Sequence, residues 1–98
     1  MRKAVAENPN LPPHLLEQLA GDKSVDVREG VAWNPNTPAS ALEQLAQDMN
    51  TEVRKGVAVN PNTPASTLEQ LAKDKDKHVR VAAKSILADS PFLKAKKQ

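Results

Sequence analysis

"VAWNPNTPASALEQLAQD", residues Val31 to Asp48, sets an Asn-Pro and a Thr-Pro break directly against a run with helical spacing, and "VAVNPNTPASTLEQLAKD" follows 26 residues later from Val57. Aligned on the Asn-Pro pair, the chain reads "NPNLPPHLLEQLAGDKSVDVREGVAW" from Asn8, "NPNTPASALEQLAQDMNTEVRKGVAV" from Asn34 and "NPNTPASTLEQLAKDKDKHVRVAAKS" from Asn60. The leading "RKAVAE" matches the end of a preceding unit, with Arg2 in register with Arg28. Self-similarity at such a period marks a solenoid, in which no unit buries its apolar face until a neighbour stacks on it. The 98 residues therefore divide as one all-α solenoid domain: the back half of a unit over 1–7, units over 8–33, 34–59 and 60–85, and a C-terminal cap with a basic tail over 86–98.

Each unit predicts a pair of short helices. Thr37 and Thr63 are placed as N-caps with Pro38 and Pro64 at the first helical position, where a missing N–H is harmless. Leu11 replaces the cap in the first unit, so its helix is expected to fray more. Leu42, Leu45 and Ala46 then fall at i, i+3 and i+4, as do Leu16, Leu19, Ala20 and Leu68, Leu71, Ala72; these stripes predict the core. Glu43 and Gln44 lie off the stripe and should face water. A second, shorter helix, α or 3₁₀, starts at Ser24, Asn50 and Asp76, three different residues that all accept hydrogen bonds from a helix's first N–H groups. Its apolar pairs are Val27 with Val31, Val53 with Val57, and Val79 with Ala83. Gly30, Gly56 and Ala82 keep its middle small, which implies close packing or a tight 3₁₀ turn. The Asn-Pro pair ends it, because a residue before proline avoids the α region.

Two polar columns also recur. Arg2, Arg28, Arg54 and Arg80 stand six residues after an aspartate wherever the unit is complete (Asp22, Asp48, Asp74), which suggests an Arg–Asp clamp across the turn between the two helices of one unit. The competing role is a ladder of guanidinium groups offered to an anionic partner. Asn8, Asn34 and Asn60 carry amides that can satisfy turn backbone and bond along the stacking axis.

The wording "VAxNPxTPxxxLxxLAxDxxxxVRxG", almost unbroken from Val31 to Gly56, resembles the leucine-rich repeat variant family, and the match runs from residue 2 to about 85. The resemblance implies a right-handed superhelix of alternating α and 3₁₀ helices without a β-sheet. Members of that family can carry a cysteine-rich iron–sulfur module beside the repeats. This chain has no cysteine, so no such ligands are present, and no cofactor or metal is expected.

The last unit departs from the pattern. "KHVRVAAKSILADSPF" continues the second helix past its usual stop, with Val79, Ala83, Ile86 and Leu87 as a longer apolar face, before Ser90-Pro91 breaks it; Phe92 and Leu93 are expected to fold back and "KAKKQ" to be mobile. The start has no comparable cap, which suggests a fragment of a longer protein, a loss of upstream repeats, or end-to-end self-association through the N-terminal end. Charge is uneven as well. Residues 1–72 hold six Lys/Arg against nine Asp/Glu, and residues 73–98 hold eight against three.

Catalysis finds no foothold: His14 and His78 occupy unlike columns, Ser40 and Ser66 have no base in predictable reach, and no Gly-rich phosphate loop occurs. No stretch approaches the roughly 20 apolar residues of a membrane helix, and the start lacks a secretory h-region, so a cytoplasmic, non-enzymatic protein is expected. Trp33 stands in a column otherwise held by Glu7, Val59 and Ser85, so the architecture does not demand an aromatic there. Tryptophan is enriched at binding hot spots. Trp33, Lys55 and Val59 are therefore the candidate contact strip for a protein or extended peptide on a curved face, the competing role of Trp33 being a ring packed over the neighbouring Asn-Pro turns. The alternatives are nucleic-acid association through Lys73, Lys75, Lys77, Arg80 and Lys84, whose mark would be steep salt dependence, or a spacer without its own partner.

Overall fold

The computed structural model describes residues 5–89, and among them there are six complete helices and no strand. The chain enters in helical conformation at Val5 and Ala6. It then forms α1 (Pro13–Leu19), α2 (Val25–Trp33), α3 (Ala39–Leu45), α4 (Thr51–Val59), α5 (Ala65–Leu71) and α6 (Lys77–Asp89). Odd-numbered helices begin a unit and even-numbered ones close it. The even helices stack directly, α2 on α4 and α4 on α6, while the odd helices touch one another far less. Residues 1–4 and 90–98 lie outside the described part, and with them the roles expected of Arg2, Phe92, Leu93 and the tail.

The core is built from the expected stripes. Leu16, Leu42, Leu45 and Leu71 from the odd helices meet Val27, Val31, Val53, Val57 and Val79 from the even ones, all but fully buried, while Leu19 and Ala72 remain partly covered. Burying a side chain of this size contributes roughly 1.5–3 kcal/mol. Glu17, Gln18, Glu43, Gln44, Glu69 and Gln70 all face solvent. Of the longer apolar face expected for α6, Leu87 packs on the core, but Ile86 stays 40% exposed, one step off the stripe that Val79 and Ala83 begin.

Helix lengths reverse the expectation. The first helix of each unit has seven residues and the second nine, or thirteen in α6, and no described residue is 3₁₀. The second helix runs unbroken to the Asn-Pro pair, whereas the first starts late. Pro38, not Thr37, is its N-cap, in extended conformation (φ −71°, ψ 159°), and Pro12 and Pro64 do the same. Thr37 belongs instead to the turn behind it. Pro35 has no N–H to offer the Val31 carbonyl, and the Thr37 hydroxyl donates to that oxygen at 2.6 Å; Thr63 repeats this on Val57. Leu11 has no hydroxyl to do the same, yet α1 keeps the same seven residues, with Leu11 packed against the core.

The even helices begin as expected at Ser24, Asn50 and Asp76. Asn50 Oδ1 accepts from the Glu52 and Val53 amides, and Asp76 Oδ1 from those of His78 and Val79, whereas Ser24 makes no side-chain cap bond.

Candidate functional site

The asparagine ladder joins successive turns. Asn34 Nδ2 donates to the Ala6 and Asn8 carbonyls of the turn before it, and Asn60 Nδ2 to those of Ala32 and Asn34, at 2.6–2.9 Å. The Ala32 carbonyl needs this donor. The amide one turn on, Asn36 N–H, is already given to Asn34 Oδ1. Asn36 and Asn62 add outer rungs, their Nδ2 groups reaching Leu11 O and the Pro35 and Thr37 carbonyls respectively. The ladder is thus wholly structural in what it touches.

The arginine column forms a clamp, but between units and not within one. Arg28 Nη1 donates to the backbone carbonyl of Asp22 in its own unit (2.7 Å), while Nε reaches the Asp48 carboxylate of the next (2.7 Å). Arg54 does the same more fully. Its Nη1 holds the Asp48 and Met49 carbonyls, and its Nε and Nη2 grip both oxygens of Asp74 at 2.8 and 3.2 Å. The Arg54 side chain keeps 6% of its exposure and that of Asp74 9%. Burial pushes the Asp74 carboxyl up, but hydrogen bonds from Arg54 and the Asp76 amide, with the charges of Arg54 and Lys75, outweigh it and hold the group below the ordinary carboxylate value. The intra-unit Asp–Arg pair expected from the six-residue spacing is therefore replaced: within a unit arginine takes the aspartate's carbonyl, because that carboxylate is turned to cap its own turn and meet the arginine behind it.

Trp33 is exposed and Lys55 and Val59 are half-buried, on even helices of successive units. The indole of Trp33, 44% exposed, lies on Gly56 of the next unit so closely that a β-carbon there would stand 2.7 Å from its Nε1. Gly56 is one helical turn from Val59, and Lys55 and Val59 are four apart on α4, so the three side chains share one strip. This explains the small residue at position 56 without a 3₁₀ turn.

The basic set divides in two. Lys73 and Lys75 are exposed at the α5–α6 turn, with Lys75 beside a shallow groove of about 330 Å³ that also meets Met49, Arg54 and Asp74. Lys77, Arg80 and Lys84 instead form one stripe of α6. A similar groove of about 390 Å³ lies one unit back, between Lys23, Arg28, Asp48 and Met49. Met49, 94% exposed between the two grooves, was not anticipated; its signal is an apolar residue in a column otherwise held by Lys23 and Lys75.

The polar pairs on the surface form no enclosed chemistry. Ser40 Oγ donates to Glu17, so a carboxylate does reach Ser40 across the unit boundary, but both residues are exposed. His14 and His78 are exposed too. Among the described residues no group of three His, Cys, Asp or Glu could hold a metal ion, and no helix is long and apolar enough to cross a membrane.

Stacked helix pairs, an inter-unit amide ladder and forward-reaching arginine clamps define an all-α tandem-repeat protein. The chain belongs to the leucine rich repeat variant family, whose sequence model matches it three times in tandem, over residues 1–24, 25–49 and 51–76. Those segments cut the same periodicity at a different phase from the Asn-Pro division. Comparison with curated proteins and with solved structures found no match.

Proposed function

We propose that this repeat array is a non-catalytic cytoplasmic scaffold that binds a protein or extended peptide through the outer face of α2, α4 and α6. The observation that carries this reading is Trp33. The chain's one tryptophan packs closely over Gly56 yet leaves 44% of its surface in water, near the half-buried Lys55 and Val59. A rigid aromatic on a firm backbone supplies large contact area at little entropy loss on binding, which is the physical profile of an interface anchor.

The test is capture from a lysate on the immobilised chain, with and without nuclease and at two salt concentrations, followed by titration of the retained protein against the parent and Trp33→Ala. Retention through nuclease and moderate salt, a change in Trp33 fluorescence and a loss of at least about tenfold in affinity for Trp33→Ala are expected. Equal affinity of the variant would remove Trp33 from the site. Retention of nucleic acid alone, lost as salt rises, would replace the scaffold reading with the nucleic-acid one.

A further inference from the structure

Inside the array, one stripe of each even helix faces the following unit. In α4 it includes Arg54, which grips Asp74, and Ala58, which is fully buried, with half-buried Thr51 at its edge as exposed Val25 is in α2. In α2 it includes Arg28, which reaches Asp48, and Ala32, which is fully buried and lies against the backbone at Gly56. The corresponding residues of α6 are Lys77, Arg80 and Lys84, at i, i+3 and i+7, with Lys77 and Lys84 exposed and Arg80 half-buried. Thus α6 carries three cations on the stripe that α4 turns toward the unit after it, and no described helix stacks on that stripe.

Arg80 is also pre-positioned. Its Nη1 donates to the Asp74 and Lys75 carbonyls at 2.8 and 3.1 Å, as Arg54 Nη1 does to Asp48 and Met49. The same tether leaves the Nε–Nη2 edge, which Arg54 uses on Asp74, without a carboxylate among the described residues. We propose that this end of the array docks an acidic segment of another protein, with an Asp or Glu carboxylate bound bidentately by Arg80 and its acidic neighbours met by Lys77 and Lys84. A carboxylate is the favoured ligand because the equivalent edge of Arg54 already holds one in that geometry, and because the stripe has no acid of its own to offset the three positive charges. The site is distinct from the Trp33 strip, so either can fail alone.

The probes are a fluorescently labelled peptide of alternating Asp and Gly, its Asn counterpart, and a labelled single-stranded oligonucleotide of matched charge. The Asp peptide should bind and the Asn peptide should not. Arg80→Lys keeps the charge but removes the fork, and should weaken the Asp peptide about tenfold; Lys84→Gln should weaken it a few-fold, and Trp33→Ala should leave it unchanged. In the parent, the Arg80 Nε–H resonance should move on titration while those of Arg28 and Arg54 stay in place, a readout that needs no variant to fold. A stationary Arg80 signal, or equal binding by Arg80→Lys with an unchanged melting curve, overturns the proposal. An oligonucleotide that outcompetes the peptide with no dependence on the Arg80 fork overturns it as well, in favour of diffuse phosphate attraction.

Discussion

Arg54 and Arg80 occupy the same column and tie down the same two carbonyls of their own turn, yet one is sealed against a following unit and the other meets no further carboxylate among the described residues. What separates them is the next unit's aspartate. A buried carboxylate makes Arg54 a rivet; without one, an identical side chain is a receptor. In a stack whose arginine clamps run forward, residue type alone does not assign structure or function. Position along the axis does.

Replacing the three described arginines by alanine should therefore give three different results by thermal or denaturant unfolding. Arg54→Ala should cost about 3–5 kcal/mol, because it strands the buried Asp74 carboxylate. Arg28→Ala should cost less, about 1.5–3 kcal/mol, for one bond to the Asp48 carboxylate and one to the Asp22 carbonyl at a side chain 21% exposed. Arg80→Ala should cost about 1 kcal/mol or less, for carbonyl bonds that water can replace. Acid sharpens the contrast. Asp74 binds its proton less readily when folded than when unfolded, so its contribution is complete above the unfolded value near 4 and is lost as pH falls through the lower folded value. The parent should lose stability over that window more steeply than Arg54→Ala, in which the favourable charge is gone. Equal costs at all three arginines would end the distinction between rivet and receptor.

The asparagine ladder offers the next largest test. Asn60→Ala leaves the buried Ala32 carbonyl without a donor and removes the bond to the Asn34 carbonyl, for an expected cost of about 3 kcal/mol. Asn8→Ala should cost less than about 1 kcal/mol, since Asn8 is exposed and its side chain only accepts from the Asn10 amide among the described residues. Matching losses would mean that the amides act within their own turns and not between units.

Much of this was legible in the sequence, and the failures share one cause. Leucine and valine stripes, helix ends at Asn-Pro and the Asn50 and Asp76 caps follow from local chemistry, which a repeat displays several times over. The arginine clamp does not. An aspartate six residues before Arg54 and another 20 residues after it belong to the same column, so periodicity cannot say which one it grips; the geometry chooses Asp74. Thr37 misled in a similar way, since a Thr-Pro pair announces a helix start, while the missing Pro35 N–H directs the hydroxyl backward. For the contact strip, the odd aromatic was readable at Trp33, but its seat on Gly56 was not. The end stripe of α6 was readable as charge and hidden as shape, because only the stack shows which face the three cations share.

Gly56 carries the next contrast, with Ala82. A β-carbon at 56 would meet the Trp33 ring at 2.7–2.8 Å and Ala32 Cβ at 2.9 Å. In the last unit the residues in those columns are Val59 and Ala58, and position 82 is alanine. Gly56→Ala should therefore destabilise by about 1–3 kcal/mol through overpacking, against the roughly 1 kcal/mol that alanine gains in a helix interior. In a Trp33→Val background much of that loss should disappear, giving a coupling energy of about 1 kcal/mol in a double-mutant cycle. Additive effects would show that the indole does not set the identity of position 56.

The smallest effect distinguishes two helix starts that look equivalent in sequence. Asn50 accepts from two amides of α4, at 2.9 and 3.2 Å, whereas Ser24, in the same extended conformation before α2, accepts none. Asn50→Ala should cost about 1 kcal/mol. Ser24→Ala should change stability by only a few tenths of that, because the Asp22 carboxylate already takes the Ser24 amide and the hydroxyl satisfies no amide of the helix. If Ser24→Ala matched Asn50→Ala, the serine would cap in solution after all. α2 and α4 would then start alike, and the contrast between units would be confined to the arginine column and the ends of the stack.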